Sequence, residues 1–315
     1  MHRCSVIIPL YNKAADILAT VQSVLEQSFS DFELIVVNDG STDGSELVIK
    51  ELIEDHSNVR LVNQVNQGVS SARNCGIREA SGEYVALIDG DDIWDKDCLS
   101  ELISLTRDFP EAAMCGVNYG YLTNGNVEEC QQGMPKGFRD YVKDFFSSFH
   151  GDLFCSSSVI IKREIAVSAG LFDERIRYSE DIDFWYRIIL NHKVAFYNRV
   201  LAYYKKDASN RAEIDPDAHF EITQRMDYYT DKFVPYYTAH PDFARFLGMR
   251  VAYNILHGGY YFGDRHDREC TDHIVKYLSY RDMPAKYRFI FRTPRPVGWC
   301  FYQLSLLKKR IFITK

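Results

Sequence analysis

Leu34-Ile35-Val36-Val37 runs directly into Asn38-Asp39-Gly40-Ser41-Thr42-Asp43-Gly44, and the fold class is read from that junction. Four consecutive apolar residues, three of them β-branched, suit a short strand buried on both faces. The Asn, Asp, Gly, Ser and Thr that end it are turn residues. Leu47, Val48, Leu52 and Ile53 then recur at helical spacing and predict a helix. The same order occurs upstream, where Ser5-Val6-Ile7-Ile8 precedes Ile17, Leu18, Val21, Val24 and Leu25. Downstream, Val59 to Val62 and Tyr84 to Ile88 predict two more strands, with a helix around Ser70 to Ala80 between them. Strands alternating with helices imply an α/β fold whose central sheet is mostly parallel and flanked by helices. Ligands of such sheets sit beyond the carboxyl ends of the strands. The polar clusters Asn38 to Asp43 and Asp89 to Asp92 fall there.

After residue 118 the pattern is less regular. Asn124-Gly125-Asn126 predicts a hairpin turn, Val159-Ile160-Ile161 a strand and Glu180 to Leu190 a helix. Residues 1–212 therefore read as one domain with halves 1–118 and 119–212, and residues 213–315 as a helical C-terminal extension rich in Tyr and Phe. The chain has 315 residues, 46% hydrophobic and 26% charged, the balance of a soluble globular protein. Its formal net charge of -7 argues against nucleic acid as a partner, because neutralising phosphates needs surplus Lys and Arg. The eight cysteines include no C-x-x-C pair, which excludes a zinc ribbon or a thioredoxin-type motif and suggests reduced thiols in the cytoplasm. Pro9, Asn12 and Lys13 interrupt the N-terminal apolar run. Nowhere does an apolar run approach the roughly 18 residues of a membrane span, so neither secretion nor a span is expected.

Asp89-Gly90-Asp91-Asp92 follows the strand Tyr84 to Ile88. In an extended backbone Asp89 and Asp91 point the same way, so two hard carboxylates would face one ligand and suit Mn2+ or Mg2+ completed by substrate phosphates. Gly90 would permit a close approach; the plainer alternative is a surface turn capping the next helix. Asp39 either accepts the imide N–H of a uracil or thymine ring, or forms an Asx turn. Arg73 and Asn74 either reach a diphosphate or lie on a solvated helix face.

Four stretches then stand in order: Ser5-Val6-Ile7-Ile8-Pro9-Leu10-Tyr11-Asn12, Val36-Val37-Asn38-Asp39-Gly40-Ser41-Thr42-Asp43, Asn66-Gln67-Gly68 with Ala72-Arg73-Asn74, and Leu87-Ile88-Asp89-Gly90-Asp91-Asp92. Over roughly residues 3–210 the chain resembles the inverting family-2 glycosyltransferases. The resemblance implies a GT-A fold, with residues 1–212 as the catalytic domain, its first half binding nucleotide and its second facing the acceptor. It implies that Pro9, Tyr11 and Asp39 hold the nucleoside, and that Gly68 and Arg73 also belong to the nucleotide-sugar site. Asp89 and Gly90 would hold ribose, and Asp91 the metal that binds the diphosphate. Asp92 is an alternative ligand, because the run of acids leaves the register ambiguous by one residue. Ser179-Glu180-Asp181-Ile182-Asp183-Phe184-Trp185 resembles the family's Glu-Asp motif, which makes Asp181 the candidate general base. Its plainer alternative is a helix start, with Ser179 as N-cap and acids complementing the dipole. Trp185 either walls the acceptor sugar or belongs to a core stripe with Ile182 and Ile189.

The implied donor is a nucleotide diphosphate sugar, with UDP favoured, and the implied acceptor is a saccharide of a bacterial surface polysaccharide, free or lipid-linked. No G-x-G-x-x-G follows the first strand, which sets aside a nicotinamide enzyme. A catalytically inactive nucleotide-sugar-binding module is the competing class; the presence of both Asp91 and Asp181 speaks against it. His266, Cys270 and His273 lack a fourth zinc ligand nearby. Residues 281–315 carry nine Lys/Arg against one acid. Within them, residues 286–315 interleave aromatic and basic side chains, which suits an anionic membrane surface at the cytoplasmic face and equally suits packing against the domain.

Overall fold

The computed structural model describes residues 2–148, 153–176 and 180–208, together with 232–233, 235–236, 239–247 and 297. The chain divides into two compact units, Met1–Lys143 with His150–Ile214, and Asp144–Phe149 with Asp215–Lys315. In the first unit the apolar runs become β1 (Cys4–Leu10), β2 (Phe32–Asp39), β3 (Val59–Gln64) and β4 (Tyr84–Leu87). They pair in parallel in the order β3-β2-β1-β4. Every residue of β1 and β2 is buried, as the unbroken apolar runs require.

The later strands are β5 (Ile93–Trp94), β6 (Ala112–Thr123), β7 (Asn126–Glu129), β8 (Arg139–Tyr141), β9 (Val159–Lys162) and β10 (Lys193–Lys205). β9 pairs antiparallel with both β4 and β6, and β10 runs parallel to β6. β6 and β10 therefore point the same way as β1 to β4, and their carboxyl ends open on the same edge. β5, β7 and β8 run against their partners. The predicted hairpin joins β6 to β7, with Thr123 opposite Asn126 and left-handed Asn124 and Gly125 between them.

The helices are α1 (Ile17–Leu25), α2 (Ser45–Asp55), α3 (Val69–Glu79), α4 (Cys98–Asp108), the short α5 (Phe145–Ser148), α6 (Arg163–Ser168) and α7 (Glu180–Ile189). Val6, Ile8, Leu34 and Val36 form one core with Ile17, Val21 and Val24 of α1, Ile49 of α2 and Leu99, Leu102 and Leu105 of α4. Each such side chain contributes about 1.5–3 kcal/mol on burial. α3 packs against β1 and β2 although Ser70, Ser71, Arg73 and Asn74 on it are buried. A polar helix sinks into a protein only when its groups find partners. Those partners define the candidate site.

In the second unit Phe146 of α5 packs against Phe243 and Phe246, with ring centroids 4.7 and 5.4 Å away, and Phe233 lies 5.3 Å from Phe243. Residues 241–247 are helical. Ser179, the zinc candidates at 266, 270 and 273 and the tail at 286–315 lie outside the described residues, residue 297 excepted.

Candidate active site

The segments that follow β1, β2 and β4 meet at the carboxyl edge of the sheet. Pro9 is the penultimate residue of β1, paired with Val37, and Tyr11 beyond it is 43% exposed. The following turn is fastened to the turn-rich stretch after β2. Asn12 donates its N–H to Ser41 Oγ (3.1 Å) and accepts from the Thr42 N–H (2.8 Å). The Lys13 and Ala14 N–H groups donate to Ser45 Oγ (2.9 Å) and Asp43 Oδ2 (2.8 Å). The Asx turn that was one of the two alternatives at Asp39 is made by its neighbour Asn38, whose Oδ1 accepts the Ser41 N–H at 3.0 Å.

Asp39, the last residue of β2, is buried. Its Oδ1 accepts from Gln64 Nε2 (2.8 Å) and the Gln67 N–H (2.9 Å), and its Oδ2 from the Gly68 N–H (2.8 Å). Two backbone amides bound to one carboxylate fix the loop before α3. Gly68 there takes φ 92° and ψ 164°, a conformation open to glycine alone. A carboxylate offers about four acceptor positions, so Asp39 keeps capacity for one further donor such as a ring imide.

Asp89 to Asp92 form a closed turn, with the Asp92 N–H donating to the Asp89 carbonyl at 3.0 Å. The extended backbone expected for this stretch is thereby corrected: Gly90 and Asp91 occupy the bend, and the three carboxylates diverge. Asp89 Oδ1 accepts from Arg73 Nη2 at 2.7 Å. Asp91 Oδ2 accepts from Lys13 Nζ at 2.5 Å. Asp92 lies beneath the turn, accepting from Ser157 Oγ (2.5 Å) and from the Lys205 N–H (3.2 Å). Burial, with the Asp89 and Asp91 charges beside it, pushes its carboxyl well above the carboxylate range. Both Asp92 oxygens are engaged inside the protein, whereas Asp91 meets Lys13 at the turn. Burial also raises Asp91, while the Lys13 ammonium opposes that. A Cβ on Gly90 would stand 3.1 Å from the Pro9 carbonyl oxygen, so the turn packs closely on the end of β1.

Arg73, on α3, is 3% exposed, which removes the solvated-face reading. Its guanidinium holds Asp89 with one nitrogen and Glu180 Oε1 with another at 2.6 Å, and lies 5.2 Å from the Phe172 ring centroid. It thus points into the protein between two carboxylates. Glu180 opens α7, and half-buried Asp181 follows it, its Oδ1 accepting the Ile182 N–H at 2.7 Å. Burial and then the Glu180 charge push the Asp181 carboxyl up to about 7, against the pull of Arg73. Trp185 is buried and packs on Phe172 and Phe184, so it belongs to the core stripe.

Lys13, Glu180 and Ser157 are contributors that the sequence did not disclose. The signal was there only for Glu180, as half of a recognised pair; the partners of Lys13 and Ser157 lie 78 and 65 residues away. Among the described residues no three His, Cys, Asp or Glu side chains converge as a ready metal cage. A divalent ion here would rest on Asp91 and on substrate oxygens, the arrangement Mg2+ commonly takes.

A family model described as glycosyl transferase family 2 matches residues 5–166, about half of the chain. The chain belongs to that family. Its fold is the GT-A fold. Its curated relatives include the amylovoran biosynthesis glycosyltransferase AmsB of Erwinia amylovora, 28% identical over 57% of this chain and 61% of that one. Among curated relatives the matched part spans from 26% to 74% of their length. The solved structure of S. aureus TarS 1–349 in complex with UDP-GlcNAc is similar, with TM-score 0.72, 18% identity, and 89% of this chain and 82% of that one covered. The mannosyltransferase PcManGT of Pyrobaculum calidifontis, in complex with GDP-Man and Mn2+, gives TM-score 0.57 at 18% identity over 97% and 80%. No helix among the described residues is long and apolar enough to cross a membrane.

Proposed function

We propose that this glycosyltransferase moves a sugar from a UDP-sugar to a hydroxyl of a saccharide acceptor, with inversion, in the synthesis of a bacterial surface polysaccharide. The observation that carries the reading is the network in which Arg73 joins Asp89, in the acidic turn, to Glu180, the neighbour of Asp181. A donor-side turn and a candidate base then belong to one constellation. The complexes of TarS with UDP-GlcNAc and of PcManGT with GDP-Man support a nucleotide-sugar donor, and AmsB supports polysaccharide synthesis as the setting.

Pro9, Tyr11, Asp39 and Gly68 would bind the nucleoside, and Asp89 and Gly90 the ribose. The Asp91 carboxylate is a hard oxygen donor of the kind Mn2+ and Mg2+ take, and a divalent ion there would take the place of the Lys13 ammonium that now holds it. Mn2+ or Mg2+ held there with the diphosphate would offset the charge gathering on the departing nucleotide. The acceptor oxygen attacks the anomeric carbon opposite the diphosphate. The bond from that carbon to the diphosphate oxygen breaks, its electron pair leaving with the nucleotide. Asp181 takes the hydroxyl proton, a service worth about 10²–10⁴-fold in rate. The cytoplasmic side of the membrane, reached through residues 286–315, is the proposed place of action.

The test incubates the purified chain with a panel of UDP-sugars, with and without Mn2+ or Mg2+, and measures released UDP. Expected are metal-dependent release, acceleration by a saccharide acceptor, and a product of inverted anomeric configuration by NMR. Absence of UDP release from every donor would instead support the binding-module reading.

A further inference from the structure

Arg73 was expected to meet the donor, yet each of its two terminal nitrogens holds a carboxylate of the protein, while its buried Nε has no hydrogen-bond partner among the described residues. One holds Asp89 Oδ1 at 2.7 Å and the other Glu180 Oε1 at 2.6 Å, from residues 16 and 107 positions away in sequence. The guanidinium is almost wholly buried, and the Phe172 ring against it restricts its tilt. Its anchor is equally firm. The adjacent residue Asn74 donates to the Phe172 carbonyl (2.9 Å) and accepts the Phe172 N–H (2.9 Å), fixing α3 to the segment that leads into α7. A planar fork that grips two carboxylates in fixed directions sets the distance between their backbones, which a flexible ammonium cannot do.

We infer that Arg73 is a positioning residue that sets the start of α7, and with it Asp181, against the acidic turn. This rests on the proposed function, since it concerns how the donor turn and the base reach working register. Register matters because a misplacement of about 1 Å can cost 10²-fold in rate. Glu180 shares the role, as the carboxylate through which Arg73 acts on α7. Arg73 would then contribute to turnover and little to nucleotide affinity, the reverse of what a diphosphate ligand would do.

The experiment compares wild type, Arg73→Lys, Glu180→Gln and the double variant in the full chain. Thermal unfolding checks the fold, calorimetry reads UDP affinity, and steady-state kinetics separates kcat from the donor KM. Arg73→Lys keeps the buried charge but cannot fork, so it is the informative change where Arg73→Met would fail to fold. Expected are folded variants, UDP affinity within about threefold of wild type, kcat lower by about 10²-fold or more in each single variant, and a double variant little worse than either. Full kcat in Arg73→Lys, losses that multiply in the double variant, or a loss confined to UDP affinity would each overturn the inference. A wild-type chain that turns over no donor would sink the function reading and this role together. An active wild type with an unimpaired Arg73→Lys would sink this inference alone.

Discussion

At Asp181 the environment decides the chemistry. A carboxyl pushed up to about 7 by burial and by Glu180 is a stronger base than an exposed aspartate, and it gives up its proton around neutral pH. Turnover should therefore rise along a limb near pH 7, and Asp181→Asn should remove most of kcat while leaving donor affinity nearly unchanged, read from pH-rate profiles and UDP titration. Stability should move the other way. A folded value above the ordinary 3.8 means that the native state holds its proton more tightly, so this contribution is complete below about 3.8 and is lost as pH rises through about 7. Asp181→Asn should accordingly raise Tm at pH 8 and give no gain at pH 3; equal shifts at both would contradict the environment described. Asp91 carries a different expectation. Asp91→Ala should abolish metal-dependent UDP release, whereas Mn2+-stimulated activity retained in that variant would remove Asp91 from the metal site. The motifs around both residues were legible in the sequence. Their surroundings were not, because Lys13 reaches Asp91 and Arg73 influences Asp181 through space.

Among the elements, α3 shows why hydrophobic periodicity underreports a site. Its buried residues are largely polar, and they hold the chain between α6 and α7 by side-chain bonds. Asn74→Ala would strand the Phe172 N–H and carbonyl at a cost of about 1–3 kcal/mol, visible as a fall of several degrees in Tm. An unchanged Tm would show that water replaces the amide. At the opposite edge of the sheet, Glu33 of β2 accepts from Ser5 Oγ, Ser81 Oγ and the Ser81 N–H, each at 2.7 Å, with Arg60 at 3.3 Å. Burial works to raise its carboxyl, but these partners outweigh burial and hold it below its ordinary 4.5. Its stabilisation is therefore present above about 4.5 and is lost as pH falls through the folded value. Glu33→Gln should unfold more readily than wild type in urea at pH 7, and the gap should narrow toward pH 3. A gap that is constant with pH would deny the carboxylate this role. β10 was missed in the sequence because its pairing with β6 slips at Tyr197/Val200 and again at Val200/Ala202, which breaks the alternation that marks a strand.

For the whole molecule, the charge is divided along the chain: the formal total is -7, yet residues 281–315 carry nine Lys/Arg and one acid. Each basic side chain near an anionic surface contributes about 1 kcal/mol, and the interleaved aromatic groups suit the headgroup boundary. The full chain should co-sediment with anionic vesicles at low salt and release at high salt, and replacing Lys308, Lys309 and Arg310 with Gln should weaken the binding. Equal sedimentation of both proteins, or of neither, would assign the tail to packing. What the sequence determined by itself was the order of the strands and helices up to β4, the edge of the sheet that carries the polar loops, and the family. These follow from local periodicity, turn chemistry and motif spacing, which act over a few residues. The tertiary structure alone decided what each carboxylate meets. Asp89, Asp91 and Asp92 are neighbours in sequence, but one is drawn to a guanidinium, one to an ammonium and one into the interior. That assignment depends on burial and on partners brought from 16 to 113 residues away, which no local pattern encodes.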